Sequence, residues 1–238
     1  MKILITGGAS GLGEAITRIC ADDVGNQVYF TYHRAAENAA SLEKEYPNSK
    51  GIACNFMINS DLERLKSQIE IMDIDVLINN AYAGECIKTY FHKIESNEFV
   101  DDFLNNVIPT VEITQAAIKC FRAKKKGKII TILTSFLINS PPLGASIYVA
   151  NKAYLAELSR VWASENKKFN ITSNTVSPSF MLTPSTARVD ERIVEQMMND
   201  HPLKQLLTTS EAAEVIAFLC KASQQINGID IPINSAKI

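Results

Sequence analysis

Two side chains four residues apart, Tyr148 and Lys152 in the run Tyr148-Val149-Ala150-Asn151-Lys152, are the best placed in this sequence to do chemistry. On a helix that spacing puts a phenol and an ammonium on one face, one turn apart. A free phenol titrates at roughly pH 10, too high for efficient proton exchange near neutrality, and a neighbouring cation lowers its pKa by favouring the phenolate. General acid-base catalysis works best when the pKa approaches the working pH, so the pairing predicts Tyr148 as a proton donor or acceptor assisted by Lys152. The same pattern recurs at Tyr46 and Lys50. There Pro47 prevents a shared helical face, and that copy is set aside.

A hydroxyl is expected beside the pair. The run Thr131-Ile132-Leu133-Thr134-Ser135 ends a strand, and Ser135 at its carboxyl edge is predicted to orient a substrate carbonyl next to Tyr148. At the other end of the chain, the first strand runs into Thr6-Gly7-Gly8-Ala9-Ser10-Gly11-Leu12-Gly13 and then a helix. Glycines let backbone N–H groups approach a pyrophosphate, and the helix N-terminus favours its charge. The spacing, G-x-x-x-G-x-G, is a variant of the dinucleotide fingerprint. The second strand ends Thr31-Tyr32-His33-Arg34 without the acid that would bind the adenine ribose. A guanidinium suits a 2′-phosphate, so NADP(H) is favoured over NAD(H).

These groups need a scaffold that brings strand ends together. Short β-rich runs at 2–6, 27–32, 50–54, 75–79, 128–134, 170–176 and 229–233 alternate with amphipathic segments at 12–23, 35–46, 60–72, 96–124, 146–168 and 210–222. Such alternation predicts an α/β fold: a single-domain, Rossmann-type, doubly wound parallel sheet of about seven strands with helices on both faces. The one irregular stretch, 177–209, carries Pro178, Pro184 and Pro202 around a short helical pattern at 191–199, and is read as a substrate-binding loop or lid within the domain.

With 238 residues, 46% of them hydrophobic, the chain has enough apolar material for one large core, and a net charge of -2 offers no field for nucleic acid or an anionic membrane. No apolar run reaches the length of a membrane span or a signal peptide. Cys20, Cys54, Cys86, Cys120 and Cys220 form no CxxC pair and no metal site, and are read as reduced thiols of a cytoplasmic protein.

Taken in order, these residues resemble the short-chain dehydrogenase/reductase family over essentially the whole chain. The matching set is the TGGASGLG turn at 6–13, Asp75 with Asn79-Asn80-Ala81, Asn106, Ser135, Tyr148 with Lys152, Pro178 with Thr183, and Asn227-Gly228. The Ser135-to-Tyr148 separation of 13 (148 minus 135) also fits. The resemblance implies hydride transfer between NADP(H) and a carbonyl or alcohol. It makes Tyr148 the acid/base, Lys152 its helper and the holder of the nicotinamide ribose, Ser135 the carbonyl support, and Asn106 part of a water-mediated relay to Lys152. Pro109 would open that helix locally. The implied cofactor-binding set is Gly7, Ala9, Ser10, Gly11, Leu12, Gly13, His33, Arg34, Asn55, Phe56, Asn80, Ala81, Tyr148, Lys152, Pro178, Ser179 and Thr183. Helices 96–124 and 146–168 pair across two-fold axes in resembling proteins, implying a homodimer or homotetramer.

The sequence departs from the family at four places. Tyr82 follows Asn80-Ala81 where a glycine is common, Asn55 replaces an aspartate, Ser179 follows Pro178 in place of glycine, and Ser10 occupies a position often basic in NADP-binding relatives. The expected pocket rim of Phe136, Leu137, Ile138, Pro141, Pro142, Leu143, Phe180, Met181 and Leu182 predicts an apolar small-molecule carbonyl or alcohol. Many relatives reduce 3-oxoacyl groups on an acidic acyl carrier protein, which Lys124, Lys125, Lys126, Lys167 and Lys168 would greet; otherwise those lysines merely solvate helix ends. A dinucleotide-sensing regulator without catalysis is disfavoured by Tyr148 and Lys152. Epimerisation or dehydration is disfavoured because a chain ending after strand seven leaves no expected room for an added substrate domain.

Overall fold

Ile3, Leu4 and Ile5 are completely buried in the first strand, and their alternation divides the interior in two. In β1 (Lys2–Ile5) neighbouring side chains point to opposite faces, so Ile3 and Ile5 enter one core and Leu4 the other. A strand apolar on both faces belongs in a sheet covered on both sides.

The computed structural model, which describes residues 1–187 and 189–236, has that form. After β1 come α1 (Gly11–Ala21), β2 (Gln27–Tyr32), α2 (Ala36–Glu45), β3 (Ser49–Ala53), α3 (Asn59–Met72) and β4 (Val76–Asn79). Then follow α4 (Ser96–Lys124), β5 (Gly127–Ile132), α5 (Ser146–Asn166), β6 (Ile171–Pro178), α6 (Glu191–Asp200), α7 (Thr209–Lys221) and β7 (Asp230–Ile233). The seven strands form one parallel sheet in the order β3-β2-β1-β4-β5-β6-β7, as the alternation predicted. Ile16, Leu42 and Ile216 from α1, α2 and α7 fill one face with Ile3, Ile5 and Phe30. Leu65, Phe121 and Trp162 from α3, α4 and α5 fill the other with Leu4 and Leu77. Each large buried side chain contributes about 1.5–3 kcal/mol.

The element limits differ from expectation mainly around β5 and β6. Asn170 is not the start of β6; it adopts a left-handed φ of 55° that closes a 3-10 turn. The strand instead continues to Pro178, held there by pairing with Ile233 of β7. β5 stops at Ile132 because the chain enters a 3-10 turn at Ser135–Leu137. The short helical pattern expected at 191–199 is α6, capped by Asp190, whose carboxylate accepts from the Arg192 N–H at 2.8 Å. None of the side chains of α6 is buried, although His201 immediately after it is.

Tyr46 and Lys50 lie on different elements, at the end of α2 and in β3. Lys124 does more than solvate a helix end, since it ion-pairs with Asp73 at 2.9 Å and Asp75 at 3.4 Å. α4 passes through Pro109 as one helix. Among the described residues no helix is long and apolar enough to cross a membrane.

The sheet order reverses between β1 and β4, whose chains leave in opposite directions. This creates a crevice at their carboxyl ends, the usual ligand position in open α/β sheets.

Candidate active site

The glycine loop after β1 is tied to two neighbouring strands. The Thr6 hydroxyl accepts from the Asn80 and Ala81 N–H groups at 2.9 and 3.0 Å. The Asn80 amide donates to the Thr6 and Gly7 carbonyls at 2.9 and 3.2 Å. From β2, the Thr31 hydroxyl accepts from the Gly7 N–H at 2.9 Å. Gly7 and Gly11 have φ of 65° and 53°, a conformation that side chains disfavour. At Gly13 a Cβ would lie 2.0 Å from the Gly7 carbonyl oxygen. Gly8 serves packing, since a Cβ there would meet Phe30 at 2.5 Å. Ser10 precedes α1 without capping it through its side chain, leaving first-turn N–H groups for a ligand. Bare backbone at a helix N-terminus fits the pyrophosphate of a dinucleotide.

A cleft of about 1070 Å³ runs from this loop to Tyr148 and Lys152. Gly7, Ala9, Ser10, Gly11, Leu12, Gly13, Asn80 and Ala81 line one end. His33, Arg34, Asn55 and Phe56 line the side beyond β2 and β3. Arg34 is exposed and makes no ion pair among the described residues. The Asn55 side-chain carbonyl already accepts from the Met57 N–H at 3.1 Å, leaving one lone pair for a ligand. Pro178, Ser179 and Thr183 form the opposite wall, where the Ser179 hydroxyl is buried without a hydrogen-bond partner among the described residues.

At the far end, α5 presents Tyr148 and Lys152 to the cleft one turn apart. Ser135, however, does not join them. It is 1% exposed and lies outside the cleft lining, whereas the preceding residue, Thr134, lines it beside Tyr148. Thr134 is extended, with φ −161° and ψ 143°, whereas Ser135 begins the 3-10 turn, so the chain changes direction between the two hydroxyls.

Burial pushes the Tyr148 phenol above its ordinary range, the Cys86 thiol adds to this, and the Thr134 hydroxyl opposes it. Lys152 lies near the phenol's ring but makes its hydrogen bond elsewhere. Its Nζ stands 5.7 Å from the Tyr148 ring centre and donates to the Ile132 carbonyl at 2.7 Å. Burial depresses the ammonium itself to about 8. Asn106 also differs from expectation in its contacts. Its carbonyl accepts from the Ala83 N–H at 2.6 Å and its amide donates to the Ala83 carbonyl and the Asp102 carboxylate, both at 3.0 Å, so it clasps the segment after β4.

The expected apolar rim is only partly present. Phe136, Phe180 and Met181 line the cleft, but Leu137, Ile138, Pro141, Pro142, Leu143 and Leu182 do not. Their places are taken by Lys88, Glu98, Asp101, Asp102 and Asn105, brought in by α4 and the segment before it. Sequence reasoning noted Tyr82 only as a departure and missed Thr134, Asp102 and Lys88. The paired hydroxyls at 134 and 135 signalled the first; the others are joined through contacts distant in sequence.

A family model described as enoyl-(acyl carrier protein) reductase matches residues 7–235. The chain belongs to the short-chain dehydrogenase/reductase family. It is an oxidoreductase of that family. The chain is similar to the 3-oxoacyl-[acyl-carrier-protein] reductase FabG of Thermotoga maritima, with 29% identity over 239 residues covering 95% of each chain. The FabG of Escherichia coli is 29% identical over 238 residues, covering 97% of this chain and 94% of that one. A solved short chain dehydrogenase/reductase family protein superposes with TM-score 0.86 at 27% identity, covering 99% of this chain and 96% of the other. The fold is shared too with a 3-ketoacyl-(acyl-carrier-protein) reductase from Brucella melitensis complexed with NADH, with TM-score 0.87, 21% identity, and 99% and 97% coverage.

Proposed function

We propose that this short-chain dehydrogenase/reductase interconverts a carbonyl and an alcohol with NADP(H), using Tyr148 as the acid/base. The observation that carries this is the single cleft joining the glycine loop to Tyr148, Lys152 and Thr134. The nicotinamide supplies or takes up the hydride. In the reductive direction the Tyr148 hydroxyl gives its proton to the carbonyl oxygen, while the Thr134 hydroxyl, in the role first expected of Ser135, donates a hydrogen bond to that oxygen. Lys152 holds the nicotinamide ribose and supplies positive charge near the phenolate left behind. Asn106 keeps the segment after β4 in register with α4, and its place in the relay of the family is part of this proposal.

NADP(H) is preferred because Arg34 is exposed at the cleft and makes no ion pair among the described residues. Residues 177–209 form the substrate-side wall and lid of the single domain. Exposed Val100, Leu104, Tyr154 and Val161 on α4 and α5 make those helices the surface for a homodimer or homotetramer, working in the cytoplasm.

The second reading is a 3-oxoacyl-[acyl-carrier-protein] reductase, favoured by the FabG relatives. Assays of NADPH oxidation against simple ketones, aldehydes and 3-oxoacyl thioesters, free and carrier-bound, separate the two. Preference for the carrier-bound thioester supports the second reading. Binding of NADPH with no turnover on any carbonyl would leave a dinucleotide sensor instead.

A further inference from the structure

The polar cluster beside Tyr148 is built around one buried carboxylate. Asp102 Oδ1 accepts from the Tyr82 hydroxyl at 2.7 Å, the Asn151 amide at 2.9 Å and the Asn106 amide at 3.0 Å. Oδ2 pairs with Lys88 Nζ at 3.3 Å. Only 6% of the Asp102 side chain is exposed. A buried charge persists only when paired and hydrogen-bonded, and these donors come from the segment after β4, from α4 and from α5. They are the elements that also carry Asn106, Tyr148 and Lys152.

The cluster therefore fixes the Tyr82 ring. Its edge meets Tyr148 with ring centres 4.9 Å apart and planes at 86°. Lys152 Nζ lies 5.4 Å from the Tyr82 ring centre and 5.7 Å from that of Tyr148, within reach of both π faces. The ammonium has one hydrogen bond, to the Ile132 carbonyl, and no ion pair among the described residues. We propose that Tyr82, anchored by Asp102, is a positioning residue that holds the Lys152 ammonium against the Tyr148 ring, in a place where the family often has a glycine.

Donation of the Tyr82 hydroxyl to a carboxylate enriches its ring in electrons and strengthens the negative face that Lys152 meets. The ring thereby offsets part of the burial that depresses Lys152. The titratable groups facing this arrangement are Tyr148 on α5, Asp102 on α4 behind the ring, and Cys86 and Lys88 from the segment before α4. The consequence for catalysis rests on Tyr148 and Lys152 being the acid/base pair.

The test titrates Lys152 directly by carbon-13 NMR of labelled lysine ε-carbons in cofactor-free protein, the resonance being assigned by its loss in Lys152→Arg. In Tyr82→Leu, which keeps an apolar filler but removes the π face, the midpoint falls by about half a unit or more. Tyr82→Phe, which keeps the ring without its anchor, gives a smaller fall, and Asp102→Asn changes it in the same direction. The high-pH limb of kcat/KM moves down with the midpoint, whereas simple loosening of the site lowers the plateau and leaves the limb in place. An unmoved Lys152 midpoint in folded Tyr82→Leu overturns the proposal. Because the titration needs no turnover, a parent protein inactive on every carbonyl would refute the acid/base reading and not the ring contact.

Discussion

Lys152 Nζ stands 5.7 Å from the centre of the Tyr148 ring, yet its hydrogen bond goes to the Ile132 carbonyl, 2.7 Å away. The two side chains share a helical face as their spacing requires, and burial acts on them in opposite directions. It raises the phenol and lowers the ammonium, so in each case the neutral form is favoured.

That opposition has a measurable cost in stability. Lys152 falls from 10.5 to about 8 on folding. Between those values the unfolded chain binds more protons than the folded one, so stability rises with pH across the window, and below 8 the full penalty applies. Its upper limit is about 3 kcal/mol. Lys152→Met is accordingly expected to be more stable than the parent near pH 7, with the difference shrinking toward pH 10.5. Denaturant unfolding across this range checks it, and a difference independent of pH would refute the assigned burial penalty.

Replacing Tyr148 by Phe removes the transferable proton while keeping the ring that meets Tyr82. Turnover is expected to fall about 10²- to 10⁴-fold with dinucleotide binding nearly unchanged. Fluorescence titration alongside steady-state rates separates the two, and retention of most activity would take Tyr148 out of its role.

The two adjacent hydroxyls make a matched pair of experiments. Thr134→Val is expected to lower kcat about a hundredfold, as loss of a hydrogen-bond donor to a developing oxyanion does. Ser135→Ala, altering a residue outside the cleft, is expected to change kcat much less. The reverse ranking would return the carbonyl-binding role to Ser135.

Arg34→Asp exchanges a phosphate partner for a ribose partner. The ratio of NADPH to NADH affinity is expected to drop at least tenfold, about the worth of one charge-assisted hydrogen bond. An unchanged ratio in paired titrations would mean that the 2′-phosphate is read elsewhere.

The sheet was legible because buried parallel strands are short apolar runs, such as Ile3 to Ile5 and Val76 to Ile78, and the intervening helices repeat with their own period. The glycine loop was legible because its backbone conformation demands a residue type. Thr134 was not, because which of two consecutive hydroxyls lines a cleft depends on where β5 ends, and a count of thirteen residues to Tyr148 favoured Ser135. The apolar substrate rim was inferred from neighbours in sequence. Part of the lining comes instead from α4 and the segment before it, and Asp102 meets Tyr82 and Asn151 across separations of 20 and 49 residues that no local pattern encodes.

α6 has ten residues and buries none of its side chains. A helix of that length is marginal in water by itself, so its wound and unwound forms lie close in free energy. The amides of 191–200 are thus set to exchange with solvent through local openings far more often than those of β1 or β4, which open only with the whole domain. This helix behaves as a small folding reaction of its own, with an equilibrium that temperature, denaturant or a bound molecule can shift while the sheet stays intact.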